Sequence, residues 1–166
     1  MFNFYHRKYN IFYNKLVQLS RNTFFYVKLG LSDKPETRVI LVFIHFAIIL
    51  IINKNIVKTK KELQKIFDNI FANIEFTLRE NGHGDVAVNK KMKILNKVFY
   101  DILLKLGKKN KNDLTLNRSL LIKYLTELTS KEHKIEEIIN YLNAFFNYCL
   151  ELSLNDIIKG EIKFKY

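Results

Sequence analysis

Leu78–Tyr100, LRENGHGDVAVNKKMKILNKVFY, holds two of the chain's five glycines two positions apart, between two strongly patterned segments. Before it, Phe67, Ile70, Phe71, Ile74 and Leu78 recur at helical spacing. After it, Val88, Met92, Leu95, Phe99, Ile102 and Leu106 do the same. The joint therefore turns one amphipathic helix back onto another. Gly82 stands where a helix end favours a residue at positive φ, and Asp85 is placed to cap the next helix. This pattern fixes how two long helices meet and names no reaction.

Outward from that joint, the N-terminal side offers a capping box at Thr59-Lys60-Lys61-Glu62. It predicts a helix over 60–81 with a Glu75–Arg79 pair one turn apart, followed by a helix over 87–106. Further upstream, Val39–Ile52 reads VILVFIHFAIILII and is almost wholly apolar. A bilayer span needs about 20 such residues, and here Arg38 and Lys54 close both ends. An apolar helix without periodicity is a central buried helix, or one left partly open as a groove for an apolar partner or a membrane. SDKPETR breaks the chain before it: Pro35 suits a first helical turn, with Ser32 or Asp33 as cap.

The first helix is expected over 4–20, with Ile11, Phe12, Leu16 and Leu19 as its stripe. A further helical turn in RNTFFYVKLGL closes at Gly30. Downstream, KLGKKNKND is expected as a solvated turn, helices are expected near 116–128 and 132–154, and GEIKFKY is a tail or a short strand laid across the helices. Five Gly and one Pro in 166 residues suit long helices with short connections. The fold class is all-α: one domain over 1–166 with about six helices, the apolar helix 39–52 at its centre and a hairpin joined at 81–86.

The composition adds one functional bias. The chain carries 28 Lys and Arg against 16 Asp and Glu, a net charge of +12, which implies attraction to RNA, an anionic lipid surface or an acidic partner. Part of the lysine excess matches an AT-rich coding bias. The single Cys149 excludes an internal disulfide. MFNFYHRKYNIFYNK shows no secretory pattern and is too aromatic for a convincing mitochondrial presequence.

Catalysis needs converging groups, and none converge here. His6, His45, His83 and His133 lack metal-ligand spacing. Gly82-His83-Gly84 lacks the third glycine and the preceding strand of a phosphate loop. His45 interrupts the apolar helix, so it is either a structural histidine bonded to a carbonyl or to a carboxylate such as Asp85 or Glu80, or a haem or metal ligand. His83 is expected to be solvated, and Cys149 to be a small core residue. Lys105, Lys108, Lys109 and Lys111 form a solvated loop or a contact for an anionic surface. The aromatics among basic residues at 2–13 are a core stripe with snorkelling cations or an RNA-stacking face.

Several ordered blocks then resemble the ubiquinol–cytochrome c chaperone family, assembly factors for cytochrome b of the respiratory bc complex. They run from about Tyr13 to Leu125: Leu16-Val17 and Arg21 with Phe25-Tyr26; Leu29-Gly30-Leu31 with Asp33, Arg38 and His45; Phe67-Asp68, Phe71 and Leu78-Arg79-Glu80; Gly82, Gly84-Asp85, Val88 and Lys90; and Phe99-Tyr100. Thr37, Glu75, His83 and Asp101-Ile102 depart from the family's residues.

The resemblance implies a non-enzymatic, all-helical chaperone without cofactor. Its client is newly made cytochrome b, and a ribosome or rRNA contact and a small helical partner protein accompany it. A bacterial member would work in the cytoplasm at the inner membrane, and a eukaryotic one in the mitochondrial matrix. The positions it singles out, for client contact or for keeping the fold, are Arg21, Asp33, Arg38, His45, Arg79, Glu80, Gly82, Gly84 and Asp85. The rival class is a basic helical RNA- or ribosome-binding module with no membrane-protein client.

Overall fold

The computed structural model describes residues 2–54, 60–110 and 113–166. Seven α-helices lie among them: α1 (Phe2–Ser20), α2 (Pro35–Asn53), α3 (Lys60–Glu80), α4 (Asp85–Lys105), α5 (Arg118–Tyr124), α6 (Glu132–Leu150) and α7 (Leu154–Ile158). The fold is all-α, as its patterning dictates. The helix expected over 132–154 ends at Leu150, and a separate short helix follows: Ser153 Oγ accepts from the Asp156 amide at 3.1 Å and caps α7.

α2 is the axis of the molecule. It packs against α1, α4 and α6, so no side of its middle faces water, and residues 40–49 are all buried. That enclosure is why its sequence lacks a polar face. By length and composition it is apolar enough to cross a membrane, yet most of it is covered by the other helices. Only its ends open: Val39, Leu50 and Ile52 are half-buried. The buried-core expectation thus holds for the middle of this helix, and partial exposure is confined to its ends.

The start of α2 differs from the expected cap. Lys34 is the N-cap residue and provides no side-chain bond, while Pro35 opens the helix. Asp33 turns instead to Arg38, and the Ser32 amide donates to Glu127 Oε1 at 3.0 Å. Upstream, Phe24–Lys28 forms a π-helical turn that buries both Phe24 and Phe25. Gly30 then reverses the chain at φ +72°, where a side chain would be strained.

In α1, Phe12, Leu16 and Leu19 are buried, but Ile11 is largely exposed. Ile11 borders Gly160, where an added Cβ would come within 2.8 Å of its Cγ2. Of the aromatics at 2–13, Phe12 is core and Tyr13 half-buried. The side chains of residues 2–9, and the Thr59 cap, lie outside the described residues.

The segment after α4 is not a simple solvated turn. β1 (Gly107–Asn110) pairs antiparallel with β2 (Asp113–Thr115), with an irregularity between Lys108 and Asn110. Leu114 anchors this ribbon in the core. The C-terminal GEIKFKY lies across the helices without forming a strand. Ile162 is buried, the Phe164 ring packs 5.4 Å from Phe145, and Tyr166 packs 5.0 Å from both Phe24 and Tyr141.

Candidate functional site

Two grooves flank α2 where it meets the α3–α4 hairpin. The larger, about 650 Å³, lies between the end of α2, the first half of α3 and the second half of α4. Leu50, Leu63, Phe67, Tyr100 and Leu103 supply its apolar lining, with Lys54 and Lys60 beside them. Its floor is an aromatic cluster. Phe67 stacks on Phe71 at 4.4 Å, Phe43 on Phe71 at 5.4 Å, and Phe99 meets Phe43 at 5.2 Å. Each of these rings packs against several others.

A second groove, about 420 Å³, opens at the other end of the hairpin. Val39 and Ile40 of α2, Ile74 and Leu78 of α3, and Ile94 and Leu95 of α4 line it. Between the grooves the hairpin meets α2 through rings: Phe71 stacks on Phe43 at 5.4 Å and Phe99 on Phe46 at 5.4 Å.

The hairpin joint sets that geometry. Gly82 has φ +83°, and two backbone bonds close the helix end: Gly82 N to Arg79 O at 3.0 Å and His83 N to Leu78 O at 3.3 Å. These are the paired bonds of a left-handed helix stop. Gly84 rather than Asp85 is the N-cap of α4, and it makes no side-chain cap bond. The Asp85 carboxylate is taken by Arg79 Nη1, while Arg79 Nη2 lies 2.8 Å from Glu75 Oε1. Arg79 thus ties the last turn of α3 to the first residue of α4, and both carboxylates raise its pKa. Glu80 is exposed beside this pair. His83 is not merely solvated: Lys91 Nζ lies 3.0 Å from its Nε2.

A second ionic cluster sits at the start of α2. Arg38 donates to both Asp33 oxygens at 2.7 and 2.8 Å, which holds the Asp33 carboxyl below the usual carboxylate range, with a smaller contribution from the Arg21 charge. Arg21 is exposed at the end of α1. The singled-out residues therefore fall into three places: Arg21, Asp33 and Arg38 at one corner; Arg79, Glu80, Gly82, Gly84 and Asp85 at the hairpin joint; and His45 inside the core.

His45 is fully buried. Its Nδ1 bonds the Leu41 carbonyl at 2.6 Å, and its Nε2 lies 2.9 Å from the Tyr141 hydroxyl. Of the two expected partner types the carbonyl is present, in Leu41, while a phenol from α6 stands where Asp85 or Glu80 was expected. In the tautomer that satisfies both contacts, Nδ1–H donates to Leu41 and Nε2 accepts from Tyr141. As placed, neither nitrogen presents a free lone pair to a metal or haem. Burial drives the imidazole pKa down to about 4, so at neutral pH the ring is uncharged.

Asp101 is the residue that sequence patterning missed. It accepts from Lys105 at 2.8 Å, Lys123 at 2.7 Å and Tyr124 at 2.5 Å, and these bonds hold its carboxyl far below the usual range. This network locks α4 to α5. It also removes Lys105 from the set of free cations, while Lys111 and the side chains of Lys108 and Lys109 lie outside the described residues. Among the described residues no three His, Cys, Asp or Glu side chains group as a metal site would require.

The family model described as "Ubiquinol-cytochrome C chaperone" matches residues 27–164. The chain belongs to that family. The match starts inside the π-helical turn, after the Leu16–Tyr26 block, and runs past Leu125 through α6 and α7 into the C-terminal segment. The family's extent thus covers the α2–α6 pairing that carries the His45–Tyr141 bond. Comparison with curated proteins and with solved structures found no match.

Proposed function

We propose that this member of the ubiquinol-cytochrome C chaperone family is a non-enzymatic assembly factor. It holds newly made cytochrome b at the cytoplasmic face of the inner membrane, or on the matrix side in a mitochondrion, while the bc complex forms. The observation that carries the reading is the larger groove: an apolar trough of about 650 Å³ on an aromatic floor, with Lys54 and Lys60 at its edge. A membrane protein awaiting assembly presents apolar helix faces bounded by polar loops. An apolar trough with cations beside it receives an amphipathic helix by burying the face and pairing acidic flanks.

The test is a reduced-minus-oxidised absorption spectrum of membranes from cells with and without the gene, and from cells carrying Gln64→Trp or Leu103→Asp. The first variant fills the groove and the second charges it. The b-type and c-type signals of the bc complex are expected to fall together while other cytochromes stay. Unchanged spectra in the gene's absence overturn the proposal. Unchanged spectra in both folded variants overturn the groove as its seat.

A further inference from the structure

The outward face of α4 carries a stripe that runs beyond the groove. Val86, Lys90, Lys93, Lys97, Tyr100 and Leu104 are all exposed. At 3.6 residues per turn they fall within an arc of about 80°, and the stripe is about 27 Å long. Val86 and Leu104 at its ends are 85% and 82% exposed. Between them stand three ammonium groups, none of which pairs with a carboxylate among the described residues. The nearby acids are already engaged: Asp85 by Arg79, and Asp101 by Lys105, Lys123 and Tyr124.

We infer that this stripe docks the protein on an anionic bilayer surface. Three unpaired lysines are attracted to lipid phosphates. Their aliphatic stems, together with Val86, Tyr100 and Leu104, enter the headgroup region as the apolar side chains of an interfacial helix do. Nucleic acid would use the cations but gain little from an exposed valine and leucine at the two ends. An acidic protein would need to match a straight row of cations capped by apolar side chains. The placement has a consequence for the grooves. Tyr100 and Leu104 also line the larger one, and Ile94 beside the stripe lines the smaller, so a bilayer against this face meets both openings. The docking involves no client, so it stands or falls separately from the chaperone reading.

The full-length protein is sedimented with vesicles of phosphatidylcholine containing phosphatidylglycerol as one lipid in three, and with vesicles of phosphatidylcholine alone. Binding is expected with the first and not the second. Replacing Lys90, Lys93 and Lys97 together by Gln is expected to lower partition about a hundredfold, whereas Arg at the same positions preserves it. Val86→Ser with Leu104→Ser lowers it about tenfold. All five side chains are exposed, so the melting temperature stays that of the parent and loss of binding is not loss of fold. Equal binding to neutral vesicles overturns the inference, as does an unaffected triple Gln variant. An unaffected serine pair, or RNA binding that is lost in the triple variant while vesicles never bind, assigns the stripe to charge alone and also overturns it.

Discussion

His45 Nε2 and the Tyr141 hydroxyl stand 2.9 Å apart across the α2–α6 interface, joined by 96 positions of intervening chain. Tyr141 is itself fully enclosed, with Phe25 at 4.8 Å and Phe24 stacked on it at 5.2 Å. Tyr141→Phe keeps that packing but leaves an imidazole nitrogen buried and unpaired, at a cost of about 1–3 kcal/mol. His45→Leu orphans the phenol instead. Combining His45→Leu with Tyr141→Phe removes both polar groups, so the double variant is expected to lose less than the sum of the two single losses. Thermal unfolding of the four proteins measures the coupling; strict additivity would mean the bond contributes nothing.

The same histidine makes stability depend on pH. Its folded pKa, about 4, lies below its ordinary value of 6.5. Between these values the unfolded chain binds a proton that the folded chain does not, so stability falls as pH falls. It is fully present above pH 6.5 and declines toward pH 4, by about 3 kcal/mol in all. Asp33 and Glu127, both with lowered pKa, lose their contributions at lower pH, as the unfolded carboxylates protonate. Denaturant midpoints measured between pH 7 and 5 are expected to drop in the parent and to stay level in His45→Gln.

Gly82 and Gly84 occupy one joint but respond oppositely to the same change. Neither has a neighbour within 4 Å of an added Cβ, so space does not separate them. Gly82 sits at φ +83°, where a side chain costs about 1–2 kcal/mol. Gly84 is an N-cap at φ −70°, ψ 161° without a side-chain acceptor. Serine there fits the backbone and supplies one, for a gain of a few tenths of a kcal/mol. Gly82→Ser is therefore expected to lower the melting temperature and Gly84→Ser to hold or raise it.

What the sequence disclosed, and what it hid, divides by distance along the chain. The hairpin joint was legible because helix spacing and a glycine stop are local signals. The enclosed α2 was legible because an all-apolar helix has one common use in a small domain. Asp85 was misassigned as a cap because its local pattern fits one, while a guanidinium six residues earlier competes for the same carboxylate and wins. The break between α6 and α7 did carry a signal, Ser153 followed by Asp156, masked by continuing apolar spacing through Leu154. The His45–Tyr141 bond and the Asp101 network had no local signature. Both join residues that only the folded chain brings together.

Cys149 gives a chemical check on the core of α6. The side chain is buried, and burial pushes its thiol up to about 12. Since the thiolate is the reactive form, the native protein is expected to resist labelling by a thiol reagent at pH 8. In strong denaturant one label per chain is expected. Rapid labelling of the native protein would show that α6 opens without global unfolding.

Arg79 separates fold-keeping from client contact. It bridges Glu75 and Asp85 on the surface, with its own side chain 41% exposed. Exposed ion pairs are screened by water and salt and contribute little to stability; the turn beneath is already closed by the backbone bonds of Gly82 and His83. Arg79→Ala is therefore expected to leave the melting temperature close to the parent's. In cells, the same substitution is expected to remove the bc-complex signals from the difference spectrum, because a guanidinium held between two carboxylates is oriented to exchange one of them for an acidic loop of a client. The pairing of measurements decides the role. A lowered melting temperature with intact spectra makes Arg79 a residue of the joint alone, whereas lost spectra with an unchanged melting temperature place it in the contact.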